Sequence, residues 1–192
     1  MRAAALGVAL ALASGCLPEV QRPKKATIDV RDVEASEGVT LETACVPSGP
    51  ERCFDAVDDN CNGVIDEGCG LQTGILQFAI AWTEPNADVD LNVSGPDGEL
   101  ARYDEPTESG LLKDRDCPGS DGECRGQNVE NVFLVESAPR RGRYRVVVRL
   151  EDPSDTTGPI RVRLSARIGQ RHFTTAVELT TKTDEREFAF TL

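Results

Sequence analysis

The chain of 192 residues is poor in the residue types on which histidine-based catalysis and aromatic ligand platforms depend. It contains one histidine, one tryptophan and two tyrosines, and aromatic residues make up 5% of the sequence. No serine or aspartate motif accompanies His172, so a polar surface histidine is expected there rather than a general base. No segment shows helical periodicity, and after residue 15 none is apolar and long enough to span a bilayer.

Positive charge is also scarce. The sequence has 33 acidic and 21 basic residues, which gives a formal net charge of −12 at neutral pH. A strongly anionic surface repels nucleic acids and anionic lipids, so nucleic acid is not expected as a partner. The same charge suits a protein that binds divalent cations, although solubility alone also accounts for it.

Residues 1–15 have the pattern of an export signal: Arg2 precedes a short apolar run that ends in Leu12-Ala13-Ser14-Gly15-Cys16. This ending resembles the lipobox of bacterial lipoproteins, and Leu17 after the cysteine implies sorting to the outer membrane. Seven cysteines are an odd number, so setting Cys16 aside leaves six to pair. We expect a lipid anchor at Cys16, a tether over residues 16–44, and a location at the outer membrane or cell surface. The alternative is an ordinary secretory signal with an incidental cysteine.

The remaining six cysteines predict disulfides, because an exported protein meets an oxidising compartment. Four of them are evenly spaced, with seven residues in each gap, and two flank a short acidic loop; they are Cys45, Cys53, Cys61 and Cys69, then Cys117 and Cys124. The first four allow three pairings. We favour Cys53–Cys61 nested inside Cys45–Cys69, and a local Cys117–Cys124 bond. Residues 45–70 have too few apolar side chains for a core, so this module should depend on its disulfides.

The segment DDNCNGVIDE, residues 58–67, has the spacing of a calcium-binding loop. Side-chain oxygens recur at alternate positions before the tight turn at Gly63, and a carbonyl and carboxylates follow; the candidate ligands are Asp58, Asn60, Asn62, Val64, Asp66 and Glu67. A hard cation such as Ca²⁺ prefers several oxygens at about 2.3–2.6 Å. Cys69 replaces the usual glutamate at position 12, so the alternative is a disulfide knot whose polar residues only make turns.

The same stretch resembles the MopE-type metal-binding motif of secreted and surface proteins of bacteria, E-x-C-D-G-x-D-N-D-C-D-G-x-x-D-E. The matching residues are Glu51, Cys53, Asp58, Asn60, Cys61, Gly63, Asp66 and Glu67. Phe54 and Asn62 replace aspartates of the motif, and Asp59-Asn60 reverses its usual order. The resemblance implies a metal-binding segment outside the cytoplasm.

Residues 71–192 alternate apolar and polar side chains in short runs between turn signals, which predicts an antiparallel β-sandwich. Leu76, Phe78, Ile80 and Trp82 share one face of the first run. Eight strands are predicted, over residues 76–82, 88–93, 100–103, 132–135, 143–150, 160–168, 172–179 and 185–192. A weak pattern over residues 27–33 suggests one further short strand.

This region resembles the C-terminal β-sandwich of the bacterial YfaP-like family. The matching features are Trp82, the Asp88-Val89-Asp90-Leu91 strand, the Pro96-Asp97-Gly98 turn, the segment Asn128–Phe133 and Gly142 with Tyr144. Asn92 stands where that family commonly has a histidine, so no histidine ligand is transferred. The family implies a periplasmic or surface module without established catalysis.

Asp88 and Asp90 lie two residues apart, so their carboxylates share one face of the strand. We expect Glu130 and one of Asp104, Asp114 or Asp116 to approach them and complete a second calcium site. The alternative is a solvated polar strand face.

Together the patterns predict a non-enzymatic, lipid-anchored protein of the cell envelope that binds Ca²⁺ and contacts a protein or glycan partner. The alternative is an adhesion or carbohydrate-binding module with a purely structural cysteine knot. A glycoside hydrolase would require catalysis by Asp88 or Asp90, and no motif demands it.

Overall fold

The computed structural model describes residues 28–121, 124–136 and 138–192. The expected signal peptide, Cys16 and the first part of the tether lie outside the described residues. Within them the chain forms nine strands and no helix, so the predicted all-β class is confirmed. The strands are β1 (Asp32–Ala35), β2 (Leu76–Ala81), β3 (Asp88–Ser94), β4 (Leu111–Cys117), β5 (Val129–Leu134), β6 (Arg143–Asp152), β7 (Ile160–Ile168), β8 (Arg171–Leu179) and β9 (Glu185–Thr191). No helix among these residues could span a bilayer.

Two antiparallel sheets pack face to face, as predicted. One has four strands in the order β1-β9-β6-β3, and the other has five in the order β4-β5-β2-β7-β8. Edge strand β3 of the first sheet lies against β4 and β5 of the second. Alternate side chains of each strand therefore fill a single core between the sheets.

Aromatic side chains make up the centre of this core. Leu76, Phe78, Ile80 and Trp82 all point into it, as their shared face predicted. The rings of Tyr144 and Phe190 stack with their centroids 4.9 Å apart, and Phe78 stacks on Phe190 at 5.7 Å. The Tyr144 hydroxyl donates a hydrogen bond to the Arg140 carbonyl at 2.9 Å, which satisfies the buried polar end of this ring.

The strand predicted at residues 100–103 is wrong. These residues make only isolated bridges, because the backbone bends back at Asp104, where φ is 55°. The strand that the prediction missed is β4. A bulge between Lys113 and Arg115 breaks the two-residue periodicity of β4 and turns the charged residues Lys113 and Asp116 inward. The sequence of β4 therefore lacks an alternating apolar pattern.

Residues 28–44, which the sequence suggested as tether, are part of the sandwich. β1 pairs with β9 from Asp32↔Thr191 to Ala35↔Phe188. Further along, Glu42 and Thr174 exchange two backbone hydrogen bonds of 2.8 Å, which extends the five-stranded sheet beyond β8. The partly buried residues Ile28, Val30, Val33, Val39 and Leu41 pack on the core. This segment therefore runs from an edge of one sheet to an edge of the other.

Replacement of Phe78 by alanine should destabilise the sandwich strongly. Phe78 is fully buried between the sheets and contacts Phe188 and Phe190, so the loss of apolar contact and the cavity should cost about 3–5 kcal/mol. Urea denaturation of the oxidised protein measures this. Leu100→Ala is the matched control, since Leu100 is 45% exposed. Similar losses in the two variants would contradict the assigned core.

Candidate functional site

The cysteine-rich module, residues 45–70, sits on the outer face of the five-stranded sheet. While Phe78 and Ile80 of β2 face the core, Ala79 and Ala81 face the other way and are buried against Ala56 and Ile65 of the module. The two alanines leave room for this close approach. The module thus obtains from the sheet the apolar contacts that its own composition cannot supply.

Buried hydrogen bonds fix how the module is seated. Ser165 on β7 donates its hydroxyl to the Ala56 carbonyl, and the Gln77 side-chain amide donates to the Ile65 carbonyl at 3.1 Å. Both Ser165 and Gln77 are fully buried. Arg163 adds a bond from its guanidinium to the Asp55 carbonyl at 3.1 Å. Because buried polar groups are costly without partners, these bonds favour one orientation of the module.

The disulfides are interleaved rather than nested. Cys45 bonds to Cys61 and Cys53 bonds to Cys69, so the pairing favoured from the sequence is wrong. The reason is the path of the chain after Cys45. The Ser48 amide donates to the Asp59 carbonyl at 2.8 Å, which lays this arm along the acidic loop and brings Cys45 to Cys61. The local bond between Cys117 and Cys124 is confirmed.

In the candidate calcium loop, side-chain oxygens accept hydrogen bonds from backbone amides of the loop itself. The two carboxylate oxygens of Asp58 accept hydrogen bonds from the amides of Asn62 (3.0 Å) and Gly63 (2.7 Å). The side-chain oxygens of Asn60 and Asn62 accept from the amides two residues further on, at 3.0 and 2.8 Å. Gly63 has φ of 90°, a conformation that favours glycine. The alternate oxygens at positions 58, 60 and 62 therefore turn toward one tight bend.

Glu67 closes this loop from the other side. Its carboxylate accepts hydrogen bonds from the side-chain amides of Asn60, at 2.8 Å, and of Asn62. The structure thus brings together four of the six predicted ligands, Asp58, Asn60, Asn62 and Glu67. Val64 is in the same bend and donates its amide to Asn62.

Asp66 is placed apart from the other predicted ligands. It is fully buried, and its carboxylate accepts backbone amides from Phe54 (2.8 Å), Asp55 (3.3 Å) and Ala56 (3.1 Å). Burial raises the pKa of Asp66 to about 6 in spite of these bonds. Its carboxylate stabilises the turn that places Ala56 against the sheet. Asp66 therefore helps to fix the position of the module on the sheet.

Glu51 is a carboxylate of this loop that the ligand prediction did not include. One oxygen accepts the Asn60 amide at 3.0 Å, while the other is buried and has no hydrogen-bond partner. Burial raises the pKa of Glu51, and the charges of Asp58, Asp59 and Glu67 add to this rise. In the sequence, only the match of Glu51 to the MopE-type motif indicated that it belongs to this loop.

The lone histidine lies beside the loop rather than on an open surface. The Nδ1 atom of His172 is 3.8 Å from a carboxylate oxygen of Asp58, and burial lowers the pKa of His172. Between the loop and the β7–β8 turn is a cleft of about 540 Å³, lined in part by Thr43, Arg167 and Arg171. Only the fold brings His172 to the loop, since the two are more than a hundred residues apart.

The second predicted metal site contains a cation of its own. Carboxylate oxygens of Asp90, Asp116 and Glu130 lie within 4.8 Å of one another, so the expected approach of Asp116 and Glu130 occurs. Lys113 Nζ, however, lies 3.0 Å from Asp116 and 2.9 Å from Glu130. Asp114 instead binds the Asn131 side chain and the Gln72 amide. Because the ammonium of Lys113 already neutralises part of this cluster, we do not propose a calcium ion at Asp88 and Asp90.

No protein-family model, curated protein sequence or solved structure matches the chain.

Asp88 should make stability depend on pH. Burial, together with the charges of Asp90 and Asp116, raises the pKa of Asp88 to about 6, and its Oδ1 atom has no hydrogen-bond partner. The folded state therefore holds this proton more tightly than the unfolded state, so stability falls as pH rises from about 4 to about 6. Asp88→Asn should remove this penalty and stabilise the protein at pH 7 by about 1 kcal/mol, allowing for partial exposure.

Urea denaturation at pH 4 and pH 7 measures this effect. The advantage of Asp88→Asn should be present at pH 7 and largely lost at pH 4. Glu178→Gln, an exposed change of equal charge on β8, is the control and should show no such difference. An Asp88 variant that is no more stable than the parent at pH 7 would contradict the assignment.

Proposed function

We propose that the chain is a non-enzymatic lipoprotein of the cell envelope whose acidic loop binds Ca²⁺ and thereby stabilises the cysteine-rich module on the sandwich. The proposed ligands are the side chains of Asp58, Asn60, Asn62 and Glu67 and the carbonyl of Val64, while Asp66 supports the fold.

The observation that carries the proposal is the convergence of Asp58, Asn60, Asn62 and Glu67 on one bend that two disulfides hold in place. All four side chains carry oxygen atoms, which Ca²⁺ prefers. Asn60 and Asn62 direct their oxygens to backbone amides of the bend and their amide nitrogens to Glu67, so ion binding requires these bonds to rearrange. Asp58 is only 2% exposed, so its charge is poorly screened by water. The unpartnered oxygen of Glu51 adds a further acceptor to the same concentration of negative charge.

Within the loop the described contacts supply little positive charge to offset these carboxylates. Arg52 binds Asp59 through its backbone amide and its guanidinium, at 3.0 Å each, and lies 3.4 Å from Asp55. Burial lowers the pKa of His172, which favours its neutral form. A bound cation would relieve the repulsion among Asp58, Glu51 and Glu67, and we propose that this is its structural role.

Calcium should raise the melting temperature of the oxidised protein. A ligand that binds only the folded state stabilises it by about 2.7 kcal/mol at a hundred times its Kd. The double variant Asp58→Asn with Glu67→Gln should lose this rise, because it removes both charged ligands. Differential scanning calorimetry with calcium and with chelator measures it. An unchanged curve in millimolar calcium would contradict the proposal.

Two further variants separate ion binding from folding. Glu178→Gln changes the charge equally but lies on β8, so it should keep the full calcium response. Asp66→Ala removes the acceptor of three backbone amides, so it should lower stability with or without calcium and still retain the calcium-induced rise. If Asp66→Ala instead abolished the response while the fold remained intact, Asp66 would be a ligand.

The lipid anchor is proposed on the sequence of residues 12–16, since six other cysteines are all paired in disulfides. Cys16→Ser should release the protein from the membrane fraction and abolish incorporation of labelled palmitate, whereas Ser14→Ala, which keeps a small residue before the cysteine, should leave both unchanged. A Cys16→Ser variant that still carried the label would exclude this anchor.

The partner, a protein or glycan, is proposed to contact the cleft beside the loop, where Arg167 and Arg171 favour an anionic group. The described residues that line this cleft include no tryptophan, tyrosine or phenylalanine. Because sugar rings commonly stack on such side chains, we place a carbohydrate-binding module second.

A further inference from the structure

A lysine and two acids lie in direct contact inside the sandwich, on the side away from the cysteine-rich module. The side chain of Lys113 is 8% exposed and that of Glu130 is fully buried. Lys113 Nζ lies 2.9 Å from Oε2 of Glu130 and 3.0 Å from Oδ1 of Asp116. A buried ion pair must offset the loss of hydration of both charges, so replacement by apolar side chains is often no less stable. The burial of this triad therefore calls for an explanation other than stability.

The strand geometry determines which groups meet. The bulge between Lys113 and Arg115 places Lys113 and Asp116 on the same face of β4. The register then sets Asp116 directly opposite Glu130 on β5. From the facing sheet, the free edge of β3 contributes the Leu91 amide, which donates a hydrogen bond of 2.6 Å to Oε2 of Glu130.

We propose that Lys113 and Glu130 form an intramolecular isopeptide bond that joins β4 to β5, with Asp116 as the proton acceptor. Each role follows from the contacts. Lys113 supplies the amine nucleophile, Glu130 supplies the carboxyl carbon, and the Leu91 amide stabilises the negative charge that develops on Oε2. Contact inside a rigid core replaces activation by an external reagent, because it holds the two groups together continuously.

The pKa shifts of Glu130 and Asp116 suit these roles. Burial raises the pKa of Glu130, which favours its neutral form, and only a neutral carboxyl group reacts readily with an amine. Burial raises the pKa of Asp116, but its hydrogen bond with Glu130 and the charge of Lys113 lower this pKa overall, to about 2. Asp116 is therefore a carboxylate. Burial lowers the pKa of Lys113, but the charges of Glu130 and Asp116 and the hydrogen bonds to them raise it overall, so Lys113 is protonated in the resting protein. The reaction therefore requires transfer of this proton to Asp116, which removes two buried charges.

The step balances without a co-reactant. The Lys113 ammonium gives one proton to Asp116, and the free amine attacks Cδ of Glu130, so a C–N bond forms and the oxyanion develops on Oε2. The Glu130 hydroxyl then leaves with the proton from Asp116 as one water molecule, while the C–O bond breaks and the carbonyl re-forms. The nitrogen releases its surplus proton to Asp116, which ends as a neutral acid. No electrons are exchanged with another molecule.

The bond would secure an exposed part of the fold. β4 is the edge strand of the five-stranded sheet and carries the bulge, so β5 is the one strand of the sheet that pairs with it, while a few bonds join Leu111 and Lys113 to residues 102–107 on its other side. Edge strands are the places where sheets open or pair with other chains. A covalent link from β4 to β5 prevents the first, because β4 can no longer separate from the sheet.

Tryptic mapping of the full-length protein, reduced and alkylated, tests the proposal directly. Trypsin cannot cut after an acylated lysine, so residues 103–115 should remain one peptide and be joined to residues 126–140. The joined peptides should weigh one water less than their sum, and fragmentation should place the link at Lys113 and Glu130. Release of residues 172–182 by cleavage after Lys182 confirms complete digestion.

Separate peptides 103–113 and 126–140 in the native protein would overturn the proposal and leave a structural ion pair. A link from residues 103–115 to residues 116–125 would overturn the assignment of Glu130. Two variants give further checks. Lys113→Arg keeps the positive charge and should show no link, whereas Asp116→Asn keeps both reacting groups and should form the link about 100-fold more slowly, as expected for loss of a general base. Formation at an unchanged rate in Asp116→Asn would exclude its role as proton acceptor.

Discussion

Strand β2 is buried on both faces, and the architecture follows from this constraint. All six of its residues are buried, although it belongs to a sheet whose second face would otherwise be open to water. Phe78 and Ile80 require the other sheet, and Ala79 and Ala81 require the cysteine-rich module. The module has the complementary need, because Ala56 and Ile65 are its only fully buried apolar residues. Neither part buries its apolar surface without the other.

This mutual dependence gives the acidic loop its rigidity. The interleaved disulfides fix the two ends of the module relative to each other, and the bonds from Ser165 and Gln77 fix the module on the sheet. Asp58 is then held over the outer face of β8 next to His172. In a flexible loop of this length, bringing several oxygens together around an ion would cost much conformational entropy. Here that entropy is already lost when the protein folds.

The sequence predicted what depends on local pattern. Alternation identified β2, β3 and β6 to β9, because each has one apolar face, and the spacing of Asp58, Asn60 and Asn62 identified a bend with converging oxygens. It failed where a residue's partner is distant in the chain. β4 was missed because Lys113 is paired with Glu130 on a neighbouring strand, and the role of Asp66 depends on the amides of residues 54–56. The disulfide pairing failed because it depends on how the arm after Cys45 folds back.

The two concentrations of carboxylates in this protein illustrate two ways to keep acids close together. Around Asp90, Asp116 and Glu130 the chain supplies its own cation, Lys113, and burial raises the pKa of Glu130. Beside Asp58, Glu51 and Glu67, Arg52 is already bound to Asp59, and burial lowers the pKa of His172. Each of these groups is partly or wholly shielded from water, so repulsion among them is larger than at an open surface. Because only the first cluster contains an internal cation, the second is the one whose charge is best balanced by an ion from solution.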